Sequence, residues 1–198
     1  MSLPDKTEKT PFVMKTYFLM NYVPVSAERN YGYCASEKEW MDRHEVWHFK
    51  NGDCSPRILQ GLAEGIRELK TTDCVVCFIP ASTSIKTATR YGDVSKRLQE
   101  MTGVPCSHTA ILKKKDSEAG HISGKKADPA EDFSFDSSFF SGKTVILIDD
   151  VVTRGRTLEG TASRLLARGA NDVVALVVAR TVNPIFQTAI PGRQIVNL

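Results

Sequence analysis

The chain has 198 residues, 41% of them hydrophobic and 25% charged, with a formal net charge of +3; this fits a single soluble globular domain of α/β size, able to bury a real core. So small a charge argues against a nucleic-acid surface, so direct nucleic-acid binding is not expected, although a local Lys/Arg cluster could serve a small anion. No apolar run approaches the roughly 18 residues of a membrane span and the N-terminus lacks a basic-then-apolar signal, so the expected location is the cytoplasm, away from membranes.

The cysteines, Cys34, Cys54, Cys74, Cys77 and Cys106, are odd in number and unevenly spaced, which predicts reduced thiols. Met1 to Thr10 is a polar tail, and Phe12 to Val25 is apolar and aromatic without a clear period, so it reads as one or two strands or a docking arm. Ser26 to Arg43 is polar and irregular. Residues 1–44 are therefore expected to form an arm or small hood-like region ahead of a domain over 45–198.

His44-Glu45-Val46-Trp47-His48 matches the HExxH zinc pattern. The Asn51-Gly52 turn signal follows within three residues and no third ligand lies nearby, so a metalloprotease is not expected. The segment reads instead as a short strand or helix end in which Val46, Trp47 and Phe49 pack inward.

Ser55-Pro56 is a helix start, with a capping hydroxyl and Pro at the first helical position. Ile58, Leu59, Leu62, Ile66 and Leu69 then recur at helical spacing and predict a helix packed on a sheet. Cys74 to Ile79 reads as a buried strand that points Cys74 and Cys77 to opposite faces. After Pro80 comes the polar loop Ala81 to Thr87, placed where open α/β sheets bind ligands, with Lys86 and Arg90 as nearby cations. Asp93 is expected to cap a helix carrying Val94, Leu98 and Met101 and ending at Gly103. Thr109 to Leu112 is a short strand candidate.

From Lys113 to Ser141 the chain is polar and rich in Lys, Asp, Ser and Gly, which predicts a mobile loop or hairpin. Lys113-Lys114-Lys115 and Lys125-Lys126 could meet an anionic ligand there, or be merely solvated. Phe133, Phe135, Phe139 and Phe140 are expected to return the chain to the core.

Val145 to Thr157, VILIDDVVTRGRT, is the most informative stretch. Val145 to Ile148 reads as a parallel strand covered on both faces, Asp149 and Asp150 follow, and Thr153-Arg154-Gly155-Arg156-Thr157 supplies hydroxyls and backbone amides where a strand hands over to a helix. Those are the materials of a phosphate cradle. Leu158, Ala162, Leu165 and Leu166 mark one face of a helix from about Arg156 to Gly169, with Arg164 and Arg168 at its negative end. Val173 to Val178 is another apolar strand, and the tail from Arg180 to Leu198 adds an edge element or covers the site. The alternation predicts an α/β fold: a mostly parallel central sheet with helices on both faces.

Val145–Thr157 resembles the diphosphosugar-binding motif of type I phosphoribosyltransferases, in which four apolar residues, two acidic residues, two apolar residues and a T-x-G-x-T loop occur together. Phe49-Lys50, Ile79-Pro80, Arg90, Gly142-Lys143 and Ala179-Arg180-Thr181 extend the likeness to the ComF-like (competence protein F) branch over about residues 45–182. That branch's N-terminal zinc ribbon is missing, TRYGD stands where RGFNQ is usual, and the loop lacks the branch's Gln and Arg-Asn pattern.

The resemblance implies the type I phosphoribosyltransferase fold and 5-phosphoribosyl 1-diphosphate with Mg²⁺ as ligand. It implies that Thr153, Arg154, Gly155, Arg156 and Thr157 hold the 5-phosphate. Asp149 and Asp150 would take the ribose hydroxyls and favour positive charge at the anomeric carbon. Ala81, Ser82 and Thr83, helped by Lys86 or Arg90, would bind the diphosphate. Mg²⁺ would ride on the ligand, with Asp149 as the one candidate carboxylate and no dedicated protein cage. Two readings follow: an enzyme passing the phosphoribosyl group to a nitrogenous acceptor, or a phosphoribosyl diphosphate or nucleotide sensor or DNA-uptake accessory protein that catalyses little. The acceptor is not legible, and a homodimer stays open.

Overall fold

The computed structural model describes residues 14–114 and 129–185, together with the backbone of 188–189 and 193–194. Its centre is β6 (Thr144–Val152) and β7 (Asp172–Asn183), paired in parallel with Ile148 opposite Leu176. Outward on one side lie β2 (Cys74–Phe78) and the short β3 (Cys106–Ser107); on the other lie β1 (Thr16–Tyr22) and β9 (Arg193–Gln194), all joined in parallel. Only β8 (Thr188–Ala189), on β7, runs antiparallel in this sheet. The fold is the expected α/β one. A small antiparallel pair, β4 (Ile111–Lys113) with β5 (Phe133–Phe135), stands apart.

Helices cover both faces because the inner strands carry unbroken apolar runs, Val75–Val76 and Cys77–Phe78 in β2, Val145–Ile148 in β6 and Val173–Ala179 in β7. On one face Val46 and Phe49 of α2 (Glu37–Lys50), Ile58, Leu62 and Ile66 of α3 (Pro56–Leu69), and Tyr91, Val94 and Leu98 of α4 (Ser84–Thr102) meet Val76, Phe78, Ile146 and Ile148. On the other, Leu158, Ala162 and Leu165 of α6 (Arg156–Ala167) and Phe140 of the one-turn α5 (Ser137–Phe140) meet Val75, Cys77, Val145 and Leu147. Cys74 and Cys77 fall in the two opposite layers, as the strand period requires. Both are free thiols, and burial pushes the Cys77 thiol up to about 12.

Four expectations need correction. Ser26 to Arg43 is not irregular: α1 (Val25–Tyr31) and most of α2 lie there. The start of α2 is fixed by a capping box, with Ser36 accepting from the Glu39 amide and Glu39 accepting from the Ser36 amide. His44–His48 therefore sits inside a helix of 14 residues, and Trp47 is 60% exposed instead of packed. The second helix starts at Ser84, not at Asp93, because the Thr83 hydroxyl accepts from the Lys86 amide and caps it there. Strand β6 does not stop at Ile148 but carries both aspartates within it.

Phe12 and the tail Met1 to Thr10 lie outside the described residues, as do Lys115 and Lys125-Lys126 of the polar connection. Among the described residues no helix is long and apolar enough to cross a membrane.

Candidate active site

Parallel strands place their carboxyl ends along one edge, and loops leaving that edge converge. Strands β2 and β6 are neighbours to their ends, where the Ile79 amide donates to the Ile148 carbonyl at 2.9 Å. The loop through Ala81, Ser82 and Thr83 therefore leaves β2 beside the last residues of β6, Asp149 to Val152, which lead into the run Thr153 to Thr157. From β4, Lys113 Nζ reaches over and donates to the Ser82 carbonyl at 3.4 Å.

Asp149, Val151, Val152 and the whole run Thr153 to Leu158 enclose a cavity of about 320 Å³. Gly155 caps α6 in the left-handed region, φ +71°, with no side-chain hydrogen bond to the first turn, so no side chain of the cap competes with an anion for that end. Arg154 and Arg156 are exposed around it, and Thr157 is half-buried in the first turn. The Thr153 hydroxyl is anchored to the Thr181 hydroxyl at 2.8 Å, which ties the cradle to the end of β7.

The two aspartates have different surroundings. Asp149 lines the cavity; one carboxylate oxygen accepts from the Asp150 amide at 2.8 Å, and the other makes no hydrogen bond among the described residues. Burial, and next the charge of Asp150, hold its carboxyl well above the usual carboxylate range, against the opposing pull of the Asp150 amide, Arg90 and Lys50. Asp150 is buried and ion-paired with Arg90, while Lys50 Nζ stands 3.8 Å from its other oxygen. Arg90 is itself held from behind, its Nε donating to the Lys50 carbonyl at the end of α2 at 3.1 Å.

Lys86 and Arg90 are thus not on the Ala81–Thr83 loop but on the first turns of α4. There they line a second cavity, of about 280 Å³, with Trp47, Lys50, Asn51 and Thr89. Sequence reasoning missed Lys50 as a partner of the aspartates; its signals were the Phe49-Lys50 pair in the family likeness and its place just before the Asn51-Gly52 turn. Tyr91 was missed as well. Its fully buried hydroxyl lies beside Arg90 and near both aspartates without a well-formed hydrogen bond.

His44 and His48 lie on one face of α2, with ring centroids 4.4 Å apart. His48 Nδ1 pairs with Asp53 at 2.9 Å, His44 stacks on Trp40, and no cluster of three His, Cys, Asp or Glu side chains suited to a metal occurs among the described residues.

The sequence model of the phosphoribosyl transferase domain matches residues 57–183. Among solved structures, the allosteric regulatory enzyme of purine biosynthesis aligns with 67% of this chain at 19% identity and a TM-score of 0.44; the match spans 30% of that enzyme. A purine phosphoribosyltransferase from Pyrococcus horikoshii Ot3 aligns with 75% of this chain and 81% of its own, at 21% identity and a TM-score of 0.41. A hypoxanthine phosphoribosyltransferase from Staphylococcus aureus gives 77% and 76%, at 15% identity and a TM-score of 0.37. No curated protein matches the chain.

Proposed function

The chain belongs to the phosphoribosyl transferase domain family, and from that premise we propose that it moves the phosphoribosyl group of 5-phosphoribosyl 1-diphosphate to a nitrogenous acceptor, releasing diphosphate. The observation that carries this reading is the cavity shared by Asp149 and the cradle Thr153–Thr157 at the end of β6. Amides and hydroxyls of the cradle, with the positive end of α6, suit a 5-phosphate. A phosphate held there brings the ribose towards the strand end, where Asp149 can accept from its vicinal hydroxyls.

In the reaction the bond from the anomeric carbon to diphosphate breaks, the leaving group keeps the electron pair, and the acceptor nitrogen forms the new bond and gives up a proton. Negative charge at Asp149 and Asp150 favours the oxocarbenium-like carbon in between. Ala81, Ser82 and Thr83, with Lys113 reaching Ser82, are assigned to the diphosphate, and Lys86 and Arg90 add positive field from α4. The unbonded oxygen of Asp149 beside the cavity is a fitting single carboxylate for Mg²⁺, which otherwise prefers phosphate oxygens and water. When bound, Mg²⁺ would neutralise charge on the diphosphate.

A second reading, a phosphoribosyl diphosphate or nucleotide sensor of the ComF-like kind, is favoured by one observation. Asp150 is already engaged by Arg90 and Lys50, leaving only Asp149 open to the ligand. Incubation with phosphoribosyl diphosphate, Mg²⁺ and a panel of bases and amines, following diphosphate release, separates the two. Acceptor-dependent release is expected; saturable binding without release would replace the enzyme by the sensor. Calorimetry on the Asp149→Asn, Asp150→Asn double variant tests the site itself, and unchanged affinity would overturn it.

A further inference from the structure

The cavity between α2 and α4 has a chemical character of its own. Its lining is Trp47, Lys50, Asn51, Lys86, Thr89 and Arg90: three cations, an indole and two neutral polar groups, with no carboxylate. Lys86 makes no ion pair among the described residues, and the first turn of α4 holds no acidic residue to offset it. Lys50 and Arg90 are both ion-paired with Asp150, which is not among the lining residues, so the lining itself is positive. Trp47 keeps 60% of its surface exposed, touching His48 edge-on and His44 at a tilt and leaving ring surface open.

Three cations and an exposed indole lining one cavity suit a ligand that is anionic at one end and planar at the other. A nucleoside monophosphate has that shape: a phosphate for Lys50, Lys86 and Arg90, and a base to stack on Trp47. A cavity of about 280 Å³ holds the phosphate and sugar, with the base lying over the open side. We propose that this cavity is a second ligand site, separate from the cradle, for a nucleoside monophosphate. The proposal stands whether or not the chain transfers phosphoribosyl groups. It also links the two sites, because a phosphate here competes with Asp150 for Arg90 and Lys50 and would release that carboxylate.

The test uses adenosine 5′-monophosphate and the full chain, with Trp40→Phe introduced so that Trp47 is the sole tryptophan, excited selectively. Saturable quenching is expected, with adenosine and inorganic phosphate each binding at least tenfold more weakly. Lys50→Ala and Lys86→Ala should each weaken the nucleotide about tenfold, whereas Asp150→Asn, which removes the competing anion, should tighten it several-fold. Asp149→Asn with Thr157→Val disables the cradle and should leave quenching unchanged. Loss of quenching in that cradle variant, or quenching indifferent to Lys50 and Lys86, would overturn the second site. Phosphoribosyl diphosphate binding measured on the Asp149→Asn, Thr157→Val variant reports on the cradle, so failure of either site is seen separately.

Discussion

Arg90 and Asp150, sixty residues apart in sequence, form one buried ion pair, and the same guanidinium donates back to the Lys50 carbonyl. Their side chains keep only 14% and 13% of their surface exposed. Removing one partner of such a pair strands the other charge, at a typical cost of about 3–5 kcal/mol. Arg90→Ala should therefore lower stability by about 3 kcal/mol in urea unfolding, and Arg90→Met combined with Asp150→Asn should recover most of the loss. A loss below about 1 kcal/mol would mean that the pair behaves as a solvated surface contact.

Asp149 supplies a pH signature. Its carboxyl titrates above the usual range in the folded chain, chiefly through burial and then through the charge of Asp150. The folded state thus holds this proton more tightly than the unfolded state. The resulting stability is complete below the unfolded pKa, near 4, and is lost as pH rises through the native value. Relative to Asp149→Asn, which has no such proton, the wild-type chain should lose stability as pH rises from about 4 towards neutrality. If the difference between the two unfolding curves stayed flat with pH, the folded chain would hold the Asp149 proton no more tightly than the unfolded chain. Ligand hydroxyls need an acceptor, so phosphoribosyl diphosphate should also bind more tightly as pH rises, with proton release that varies the calorimetric heat between buffers.

What the sequence revealed follows from where side chains go. Strands β2, β6 and β7 each carry an unbroken run of buried residues, and α3 and α6 each turn an apolar stripe inward, so apolar runs and helical spacing disclosed them. Helix α2 escaped because its inward face is small and partly charged: only Asp42, Val46 and Phe49 are buried. Asp42 is held by Lys38 at 2.8 Å and Arg57 at 2.9 Å, which a hydrophobic pattern cannot reveal. The first turns of α4 were hidden for a similar reason, since Thr87 is buried there while Ile85 is 76% exposed. The cradle was legible because its residues are consecutive. The division of labour between Asp149 and Asp150 was not, because it depends on Lys50 and Arg90 arriving from two distant helices.

Tyr91 presents a buried polar atom whose removal can be weighed directly. Its hydroxyl is fully enclosed with no well-formed hydrogen bond, while its ring packs on Phe78 at 4.8 Å and Phe49 at 6.0 Å. An unsatisfied buried hydroxyl costs about 1–3 kcal/mol, and Tyr91→Phe keeps the ring. The variant should match or exceed wild-type stability in urea. Destabilisation by more than about 1 kcal/mol would show that the hydroxyl has a working partner, with Arg90 the nearest candidate.

Gly52, at the end of α2, is where the two helices around the second cavity meet. Its φ is +92°, and a Cβ there would lie 2.7 Å from the Thr89 carbonyl oxygen and 2.8 Å from Thr89 Cγ2. Gly103, at the end of α4, is also left-handed at φ +70°, but a Cβ there meets nothing within 4 Å. The left-handed conformation alone costs an L-residue about 1–2 kcal/mol, so Gly103→Ala should lose about that much. Gly52→Ala adds a collision with backbone that cannot rotate away, so it should lose at least about 1 kcal/mol more, the low end for overpacking. The collision also pushes α2 from α4, which widens the gap between Trp47 and Lys86. Nucleotide quenching of Trp47 should therefore weaken in Gly52→Ala and not in Gly103→Ala. Equal losses of stability in the two variants would mean that α2 and α4 separate freely, and that the close approach at Thr89 does not define the cavity.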